Sequence, residues 1–330
     1  MRLCVLGAGA WGTAFGIALA SRHEVTLWAR DPTQCRSLIC GRVNTKYLPD
    51  VLIPQGLAIT SDCHAAIEDS ELIVVAVPTA AFRQTLKIVS THAAKCGLVW
   101  LCKGFESGTA KFPHQVAEEE LLATMPRAAL SGPSFASEVA KGLPAAVTLA
   151  SHDARFAAMA SRALHTGMLR VYSSDDLVGV ETGGAIKNVI AIAAGVCDGL
   201  ELGASARAAV ITRGLAEITR LGLRLGGRAE TFIGLAGAGD LMLTATSDLS
   251  RNRQVGLQLA KGQPLASVLT KLGHVAEGVH SAREVLRLAA QLGIDMPITA
   301  AVSRLLDGTT SAPDLVSELL QREPKHESVH

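Results

Sequence analysis

The stretch GAGAWGTAFG, residues 7–16, follows the apolar residues 3–6 almost at the start of the chain. A short apolar strand, a glycine-rich turn and a helix in this order predict a βαβ unit whose first turn binds phosphate. Gly7 permits the tight turn, Gly9 lets the backbone approach a pyrophosphate, and Gly12 allows the helix to pack closely on the strand. The helix then directs its free N–H groups at the anion. We expect a dinucleotide site here, the alternative being a tight structural turn without a ligand.

The end of the second predicted strand bears on which dinucleotide binds. An acidic residue at this position usually accepts a hydrogen bond from the ribose 2′-hydroxyl of NAD. Here Arg30 is followed by Asp31. The guanidinium of Arg30 can pair with a 2′-phosphate, whereas Asp31 either binds the 2′-hydroxyl or caps the next segment. The pattern favours NADPH over NADH as the cofactor.

The composition is that of a core-rich globular protein and excludes several classes of function. Of the 330 residues, 48% are hydrophobic and 18% are charged, unlike a disordered chain. A net charge of +1 gives no reason to expect nucleic acid or an anionic membrane as a partner. Mean hydropathy is +0.30, but charged residues interrupt every candidate for the roughly 18-residue apolar run of a membrane helix. No secretory signal precedes the glycine turn, and the seven cysteines show no C-x-x-C pattern, so we expect a soluble cytoplasmic protein without a metal.

The order of apolar segments predicts an α/β Rossmann-type doubly wound sheet followed by an all-α substrate domain. Strand-like runs, mostly continuous and therefore typical of strands buried on both faces, occur at 2–6, 24–29, 72–77, 98–102, 128–130 and 145–150. Helical segments such as 79–94 and 153–165 lie between them. After about residue 175 the apolar spacing is helical only. We expect a dinucleotide-binding domain over residues 1–178 and a helical substrate-binding domain over residues 179–330.

Two polar clusters follow predicted strands of the first domain. Lys103 comes directly after a strand, and ligands of doubly wound sheets bind beyond the carboxyl ends of the strands. An ordinary solvated loop lysine is the alternative. In SGPSFASE, residues 131–138, Ser134 is predicted to begin a helix whose N-terminus can hold an anion or a carbonyl, although a plain N-cap serine fits the same pattern.

Two further clusters lie in the helical half. Lys187 falls inside an almost wholly apolar helix, and a buried lysine without a partner is too costly to be kept for stability alone. It is therefore a candidate acid–base group, with snorkelling to the surface as the alternative. Asp240 follows glycines on an apolar stretch and can partner a lysine. The donor-rich helix start at Ser250, Arg251 and Asn252 suits a phosphate group, or else is a capped and solvated first turn.

Together these clusters resemble the NAD(P)-dependent glycerol-3-phosphate dehydrogenases of the bacterial type. The motifs that carry the resemblance occur in the family's order and cover nearly the whole chain: GAGAWGTA (7–14), VPT (77–79), KG (103–104), SGPSFA (131–136), GGAIKN (183–188), GLAGAGDLMLT (234–244), SRNR (250–253) and VAEG (275–278). The resemblance implies an active site in the cleft between a Rossmann domain and a helical domain. It also implies reversible NAD(P)H-dependent reduction of dihydroxyacetone phosphate to sn-glycerol 3-phosphate, supplying glycerophospholipid synthesis.

The same resemblance implies roles for individual residues. Lys187 would be the proton donor and acceptor. The residues implied to bind substrate are Lys103, Gly132, Ser134, Lys187, Asp240, Ser250, Arg251 and Asn252. Those implied to bind the cofactor are Gly7, Gly9, Ala10, Trp11, Gly12, Arg30, Lys103, Ala136, Arg251, Val275 and Glu277. Position 10 departs from some relatives, which have serine there, so a side-chain hydrogen bond to the pyrophosphate is lost while the backbone contact remains.

Two other functions compete with this one. A related reductase acting on a 3-hydroxy acid or on ketopantoate would bind a carboxylate in place of the phosphate, and the SRNR cluster favours phosphate. A nucleotide-sensing protein without turnover would have no use for Lys187 and Asp240 in apolar surroundings. We expect a small phosphorylated substrate, no nucleic acid, no membrane insertion, and a homodimer formed through the apolar surplus of the helical domain.

Overall fold

The computed structural model describes residues 1–92, 96–273 and 276–323. The chain divides into two compact units. The first comprises Met1–Lys103 and Pro113–Leu177, and the second comprises Gly104–Phe112 and the chain from Val178 onward. The domain bounds 1–178 and 179–330 remain a sequence prediction, and the sequence carried no signal that Gly104–Phe112 belongs with the helices.

The first unit alternates strands and helices. Its strands are β1 Arg2–Leu6, β2 Glu24–Trp28, β3 Val43–Asn44, β4 Leu48–Leu52, β5 Leu57–Thr60, β6 Leu72–Val75, β7 Gly97–Trp100, β8 Arg127–Ser131, β9 Ala145–Ala150 and β10 Leu169–Ser174. Its helices are α1 Ala10–Leu19, α2 Pro32–Gly41, α3 Cys63–Glu68, α4 Thr79–His92, α5 Pro113–Glu120, α6 Ala136–Ala140 and α7 Ala154–Leu164.

Eight of these strands form one sheet in the order β10-β9-β8-β7-β6-β1-β2-β5. Neighbouring strands are parallel except for the antiparallel pair β8 and β9. The central strands are apolar and buried along their whole length, as in sheets covered by helices on both faces. The predicted Rossmann-type sheet is confirmed.

The strands β3, β4, β5 and β10 were not predicted from the sequence. The edge strand β10 is exposed at three of its six positions and lacks the continuous apolar run by which the central strands were found, whereas the edge strand β5 has only four residues. β3 and β4 form a separate two-stranded sheet, in which β3 has only two residues. Strands this short or this exposed carry little hydrophobic pattern.

The second unit is helical in its described part. Its helices are α8 Leu177–Gly199 (which starts at the unit boundary), α9 Gly203–Arg224, α10 Ala229–Ile233, α11 Asp240–Thr246, α12 Arg251–Ala260, α13 Leu265–Leu272, α14 Glu277–Gln291, α15 Pro297–Leu306 and α16 Ala312–Leu320, with a π-helical turn at Leu235–Gly239. Phe105 and Phe112 join the core of this unit, with ring centroids 4.6 Å apart, which explains why their segment belongs to it.

Helix α8 is the central helix of the second unit. By length and composition it is the one described helix apolar enough to cross a membrane, but 94% of its apolar window is buried inside the protein. Its apolar residues Ile186, Val189 and Ile190 are fully buried in the helical core. The helix is therefore a core element of this unit.

Candidate active site

The glycine turn in the first unit has the geometry that a phosphate needs. Gly7 has φ +115°, a conformation that disfavours other residues, and its N–H donates to Trp28 O at 3.1 Å. A Cβ at Gly12 would lie 1.8 Å from Gly7 O, so only glycine lets α1 pack here. A Cβ at Gly9, in contrast, would meet nothing within 4 Å. The turn is tight on its strand side and open at Gly9.

Two amide side chains that the sequence analysis did not single out hold the glycine turn in place. Gln34 Nε2 donates to Ala8 O at 2.8 Å, and Asn44 Nδ2 donates to the same oxygen at 3.1 Å. Asn44 is 2% exposed and also donates to Thr13 Oγ1 on α1. These hydrogen bonds fix the carbonyl of Ala8, which lies between Gly7 and Gly9. Gln34 and Asn44 are 26 and 36 residues from Ala8, so no local sequence motif predicts their role.

Other predicted cofactor residues surround the same turn. Trp11 lies on α1 and contacts the ring of Phe15, with centroids 6.4 Å apart. Ala10 and Ala136 belong to one small apolar cluster, so the starts of α1 and α6 lie side by side. Arg30 is exposed beyond β2.

Asp31, the residue after Arg30, caps the helix that follows it. Asp31 Oδ1 accepts a hydrogen bond from the N–H of Thr33 at 2.8 Å and caps α2. Capping was one of the two roles that the sequence left open for Asp31.

Three predicted substrate residues of the first unit meet at one carbonyl. Lys103 Nζ donates to Gly132 O at 3.4 Å, and Ser134 Oγ donates to the same oxygen at 3.1 Å. Lys103 is half-buried and its own carbonyl accepts from Thr79 Oγ1, so it is not a solvated loop lysine. The prediction that Ser134 begins a helix is wrong, because α6 begins at Ala136 and Phe135 is its N-cap.

The second unit pairs Lys187 with Asp240. Lys187 Nζ donates to Asp240 Oδ1 at 2.6 Å and to Thr244 Oγ1 at 2.8 Å. The three residues are 7%, 1% and 5% exposed, so Lys187 does not snorkel to the surface. Asp240 opens α11 directly after the π-helical turn, and Thr244 lies one helical turn later on the same face. Thr244 was not singled out from the sequence, although its spacing of four residues from Asp240 carries that signal.

The predicted phosphate-binding residues lie at the start of α12. Ser250 is the N-cap and accepts from the N–H of Arg253 at 3.3 Å. Arg251 is exposed, and within the described ranges its side chain makes no hydrogen bond or ion pair. Asn252 Nδ2 donates to Asn188 Oδ1 at 2.9 Å, and its Oδ1 accepts from the N–H of Gly278. The first turn of α12 is therefore capped by Ser250, while the Arg251 guanidinium has no partner among the described residues.

The last two predicted cofactor residues are Val275 and Glu277, and Glu277 is the first residue of α14. Glu277 Oε2 accepts from Asn188 Nδ2 at 3.4 Å, so Asn188 and Asn252 join the starts of α12 and α14 to α8. Val275 lies outside the described residues.

Comparison with known proteins identifies the family. The model of the NAD-dependent glycerol-3-phosphate dehydrogenase N-terminus matches residues 2–157, and that of the C-terminus matches residues 176–317. The chain belongs to this family. It is 56% identical over 331 residues to glycerol-3-phosphate dehydrogenase (NAD(P)+) of Nitrosospira multiformis, covering 99% of each chain. The crystal structure of glycerol-3-phosphate dehydrogenase from Coxiella burnetii is 40% identical with a TM-score of 0.93, covering 97% of this chain and 99% of that one.

The competing reductase class shares only the fold. A ketopantoate reductase structure from Ralstonia eutropha covers 96% of this chain and all of its own, with 18% identity and a TM-score of 0.60. The glycerol-3-phosphate dehydrogenases are closer in both measures. The resemblance drawn from the sequence motifs is therefore confirmed at the level of the family.

The glycine turn of this glycerol-3-phosphate dehydrogenase family member fits a dinucleotide pyrophosphate. No described side chain caps the N-terminus of α1, and the N-cap position is Gly9 itself. The first N–H groups of a helix have no intrahelical partner and bind anions. Open space at Gly9 and uncapped donors at Ala10 and Trp11 together form a cradle that a side chain would fill.

Proposed function

We propose that this protein catalyses the reversible reduction of dihydroxyacetone phosphate to sn-glycerol 3-phosphate by NADPH or NADH, and so supplies glycerophospholipid synthesis. The observation that carries the proposal is the buried Lys187 held by Asp240 and Thr244, in a chain that matches both halves of the dehydrogenase family. The balanced reaction consumes the ketone, the reduced cofactor and one proton, and yields the alcohol and the oxidised cofactor.

Lys187 is the proton donor to the carbonyl oxygen in this proposal. A nicotinamide cofactor, when bound, would supply the hydride for the carbonyl carbon. Negative charge then develops on the substrate oxygen, where the Lys187 ammonium stabilises it and delivers a proton. Asp240 and Thr244 fix the Nζ atom from two sides, so the ammonium is oriented before the substrate arrives. In the reverse direction Lys187 accepts the proton of the hydroxyl.

The start of α12 binds the substrate phosphate. The guanidinium of Arg251 suits phosphate oxygens, and the first turn of the helix adds N–H donors capped only by Ser250. Asn252, in this turn, donates a hydrogen bond to Asn188, the residue after Lys187. Phosphate binding at a distance from the reacting carbon supplies energy to align the carbonyl with Lys187.

The first unit contributes the remaining groups. Lys103, Gly132 and Ser134, which meet at the Gly132 carbonyl, bind the substrate side. The cofactor is bound by the glycine turn together with Arg30, Lys103 and Ala136, and by Arg251, Val275 and Glu277 of the second unit. Arg30, exposed beyond β2, favours NADPH because its guanidinium can pair with the 2′-phosphate.

We further propose a cytoplasmic homodimer assembled through the helical unit. All seven cysteines are free, in keeping with a reducing compartment. Ile233, Met242 and Leu249, close together in the sequence of the second unit, are 75%, 54% and 54% exposed, and we propose that the second copy of the chain covers them. Sedimentation equilibrium of the purified protein measures the assembly state, and a monomer at micromolar concentration would contradict the dimer.

The experiment that tests the activity is the loss of absorbance at 340 nm with NADPH and dihydroxyacetone phosphate. Parallel reactions use NADH and ketopantoate, and the Lys187→Met variant is the control for adventitious reductase. Rapid loss with the phosphate ester alone supports the proposal. Loss of absorbance only with ketopantoate would show that ketopantoate, and not dihydroxyacetone phosphate, is the substrate. Cofactor that binds but is not consumed under any condition would show that the protein is a nucleotide sensor.

A further inference from the structure

Two arginines at the start of α12 have opposite environments. Arg251 is exposed, and in the described chain its side chain has no protein partner. Arg253, two residues later, is only 8% exposed. The sequence SRNR does not distinguish them, since both are cations next to a helix N-terminus. Burial and partners do.

The Arg253 guanidinium is held by two carboxylates. Its Nε donates to Asp198 Oδ2 at 2.7 Å, its Nη2 lies 2.7 Å from the same oxygen, and its Nη1 donates to Asp248 Oδ1 at 2.6 Å. Asp248 belongs to the turn before α12, and Asp198 lies in the last turn of α8, the helix that carries Lys187. The positive charge of Arg253 is therefore matched inside the protein and is not offered to a ligand.

The backbones of α8 and α12 touch where Arg253 is anchored. A Cβ at Gly195 would lie 2.0 Å from the carbonyl oxygen of Arg253, and a Cβ at Gly256 would lie 1.9 Å from that of Ile192. Two helices in backbone contact keep a fixed separation but can still rotate or slide about the contact. The bridge from Arg253 to Asp198 restrains that motion because it grips the carboxylate with two nitrogens.

We propose that Arg253 is a positioning residue for substrate phosphate. Its ion pair with Asp198 holds the first turn of α12 in register with α8, so that Arg251 meets the phosphate while Lys187 meets the carbonyl of the same molecule. Arg251 binds and Arg253 aligns. This role rests on the proposed function, because it takes dihydroxyacetone phosphate as the ligand.

The test compares Arg253→Gln with a matched control, Arg207→Gln. Arg207 on α9 donates to the other oxygen of Asp198, at 2.8 Å, but does not belong to α12. We expect Arg253→Gln to raise the KM for dihydroxyacetone phosphate about tenfold with kcat changed less than about threefold. Its kcat/KM for dihydroxyacetone, which lacks the phosphate, stays within about twofold of the wild type. Arg207→Gln leaves both substrates within the same twofold range.

A double-mutant cycle and a conservative variant complete the test. Asp198→Asn raises the KM as Arg253→Gln does, and the double variant is no worse than the worse single one. Arg253→Lys regains part of the loss, since an ammonium can pair with Asp198 but cannot bridge to Asp248. If Arg253→Gln does not fold, the kinetics with dihydroxyacetone phosphate and with dihydroxyacetone are compared in Arg253→Lys and Asp248→Asn, where we expect smaller increases in KM.

Several results would overturn the positioning role. Equal losses on both ketones, or the same losses in Arg207→Gln, would make Arg253 merely structural. The calorimetric Kd for sn-glycerol 3-phosphate is measured on the same proteins, and an unchanged Kd in Arg253→Gln also contradicts the proposal. Wild-type protein that binds this ester but does not reduce dihydroxyacetone phosphate contradicts the proposed function alone. Wild-type protein that does neither contradicts both.

Discussion

Two buried charges in the helical unit, Lys187 and Glu217, each bond a threonine hydroxyl but differ in their other partners. Lys187 is 7% exposed and is held by the side chains of Asp240 and Thr244. Glu217 on α9 is 2% exposed and accepts from the N–H groups of Ile298 and Thr299, at 2.6 and 3.1 Å, and from Thr299 Oγ1. It therefore caps α15, whose own N-cap residue makes no side-chain hydrogen bond.

This difference in partners distinguishes a catalytic role for Lys187 from a structural role for Glu217. The hydrogen bonds to Glu217 come from the first backbone N–H groups of a helix and from one hydroxyl, so we assign this carboxylate a structural role as a helix cap. An ammonium held by a carboxylate and a hydroxyl stays charged, oriented and able to exchange a proton. Burial of a charge alone is thus a poor guide to catalysis, and the kind of partner decides. The following experiments test this distinction.

Removing the ammonium has the largest expected effect. Lys187→Met keeps much of the side-chain volume and eliminates the proton donor, so we expect kcat to fall on the order of 10³-fold. The Kd for NADPH, measured by fluorescence titration, stays within about twofold because the cofactor residues lie elsewhere. Lost cofactor binding together with normal turnover in the remaining complex would contradict the role of Lys187 as the proton donor.

Neutralising the counter-ion comes next. Asp240→Asn leaves the Lys187 ammonium buried without its carboxylate, which lowers the free energy of unfolding by about 3 kcal/mol and kcat about 100-fold. The double variant Lys187→Met/Asp240→Asn removes both charges and regains stability but no turnover. Denaturant unfolding and initial rates measure the two effects, and a double variant less stable than Asp240→Asn would show that the pair is not coupled.

The sequence was sufficient for features that depend on local pattern. The glycine turn was found because Gly7, Gly9 and Gly12 follow a strand, and the central strands were found because they are apolar throughout. Lys187 was found because a charge stands out on an apolar helix. Asp240 was named as a possible partner, and the structure joins the two at 2.6 Å.

Most other pairings between distant residues could not be predicted. Arg253 and Asp198 are 55 residues apart, and Glu217 and Thr299 are 82 residues apart, so no periodicity links them. The placement of Gly104–Phe112 in the helical unit depends on two phenylalanines in a segment that looks like an ordinary loop. Glu217 itself reads as one more charge on an amphipathic helix.

The capping carboxylate should affect stability without affecting turnover. Glu217→Gln keeps the shape but exchanges one acceptor oxygen for an NH₂ group that cannot bind a backbone N–H. We expect the free energy of unfolding to fall by about 1–3 kcal/mol, while kcat per folded molecule is unchanged. Glu230→Gln, on the exposed start of α10, is the matched control and changes neither quantity. A tenfold lower kcat in Glu217→Gln would place this carboxylate in the chemistry after all.

The smallest expected effect is a pH dependence carried by the same carboxylate. Burial raises the pKa of Glu217, and the hydrogen bonds from Ile298 and Thr299 offset only part of the shift. As pH rises from about 4, the unfolded chain loses this proton first, so the native state binds more protons and stability falls. The contribution of Glu217 to the free energy of unfolding is therefore fully present below about pH 4 and is lost as pH rises through the raised native pKa.

The unfolding free energies of the wild type and of Glu217→Gln, measured between pH 4 and pH 7, test this pH dependence. Subtracting the second from the first removes the contribution of every other group. The difference should decline with rising pH, by at most about 1.4 kcal/mol per pH unit. A difference that grows with pH would mean that the three hydrogen-bond donors outweigh burial and hold this carboxylate in its charged form.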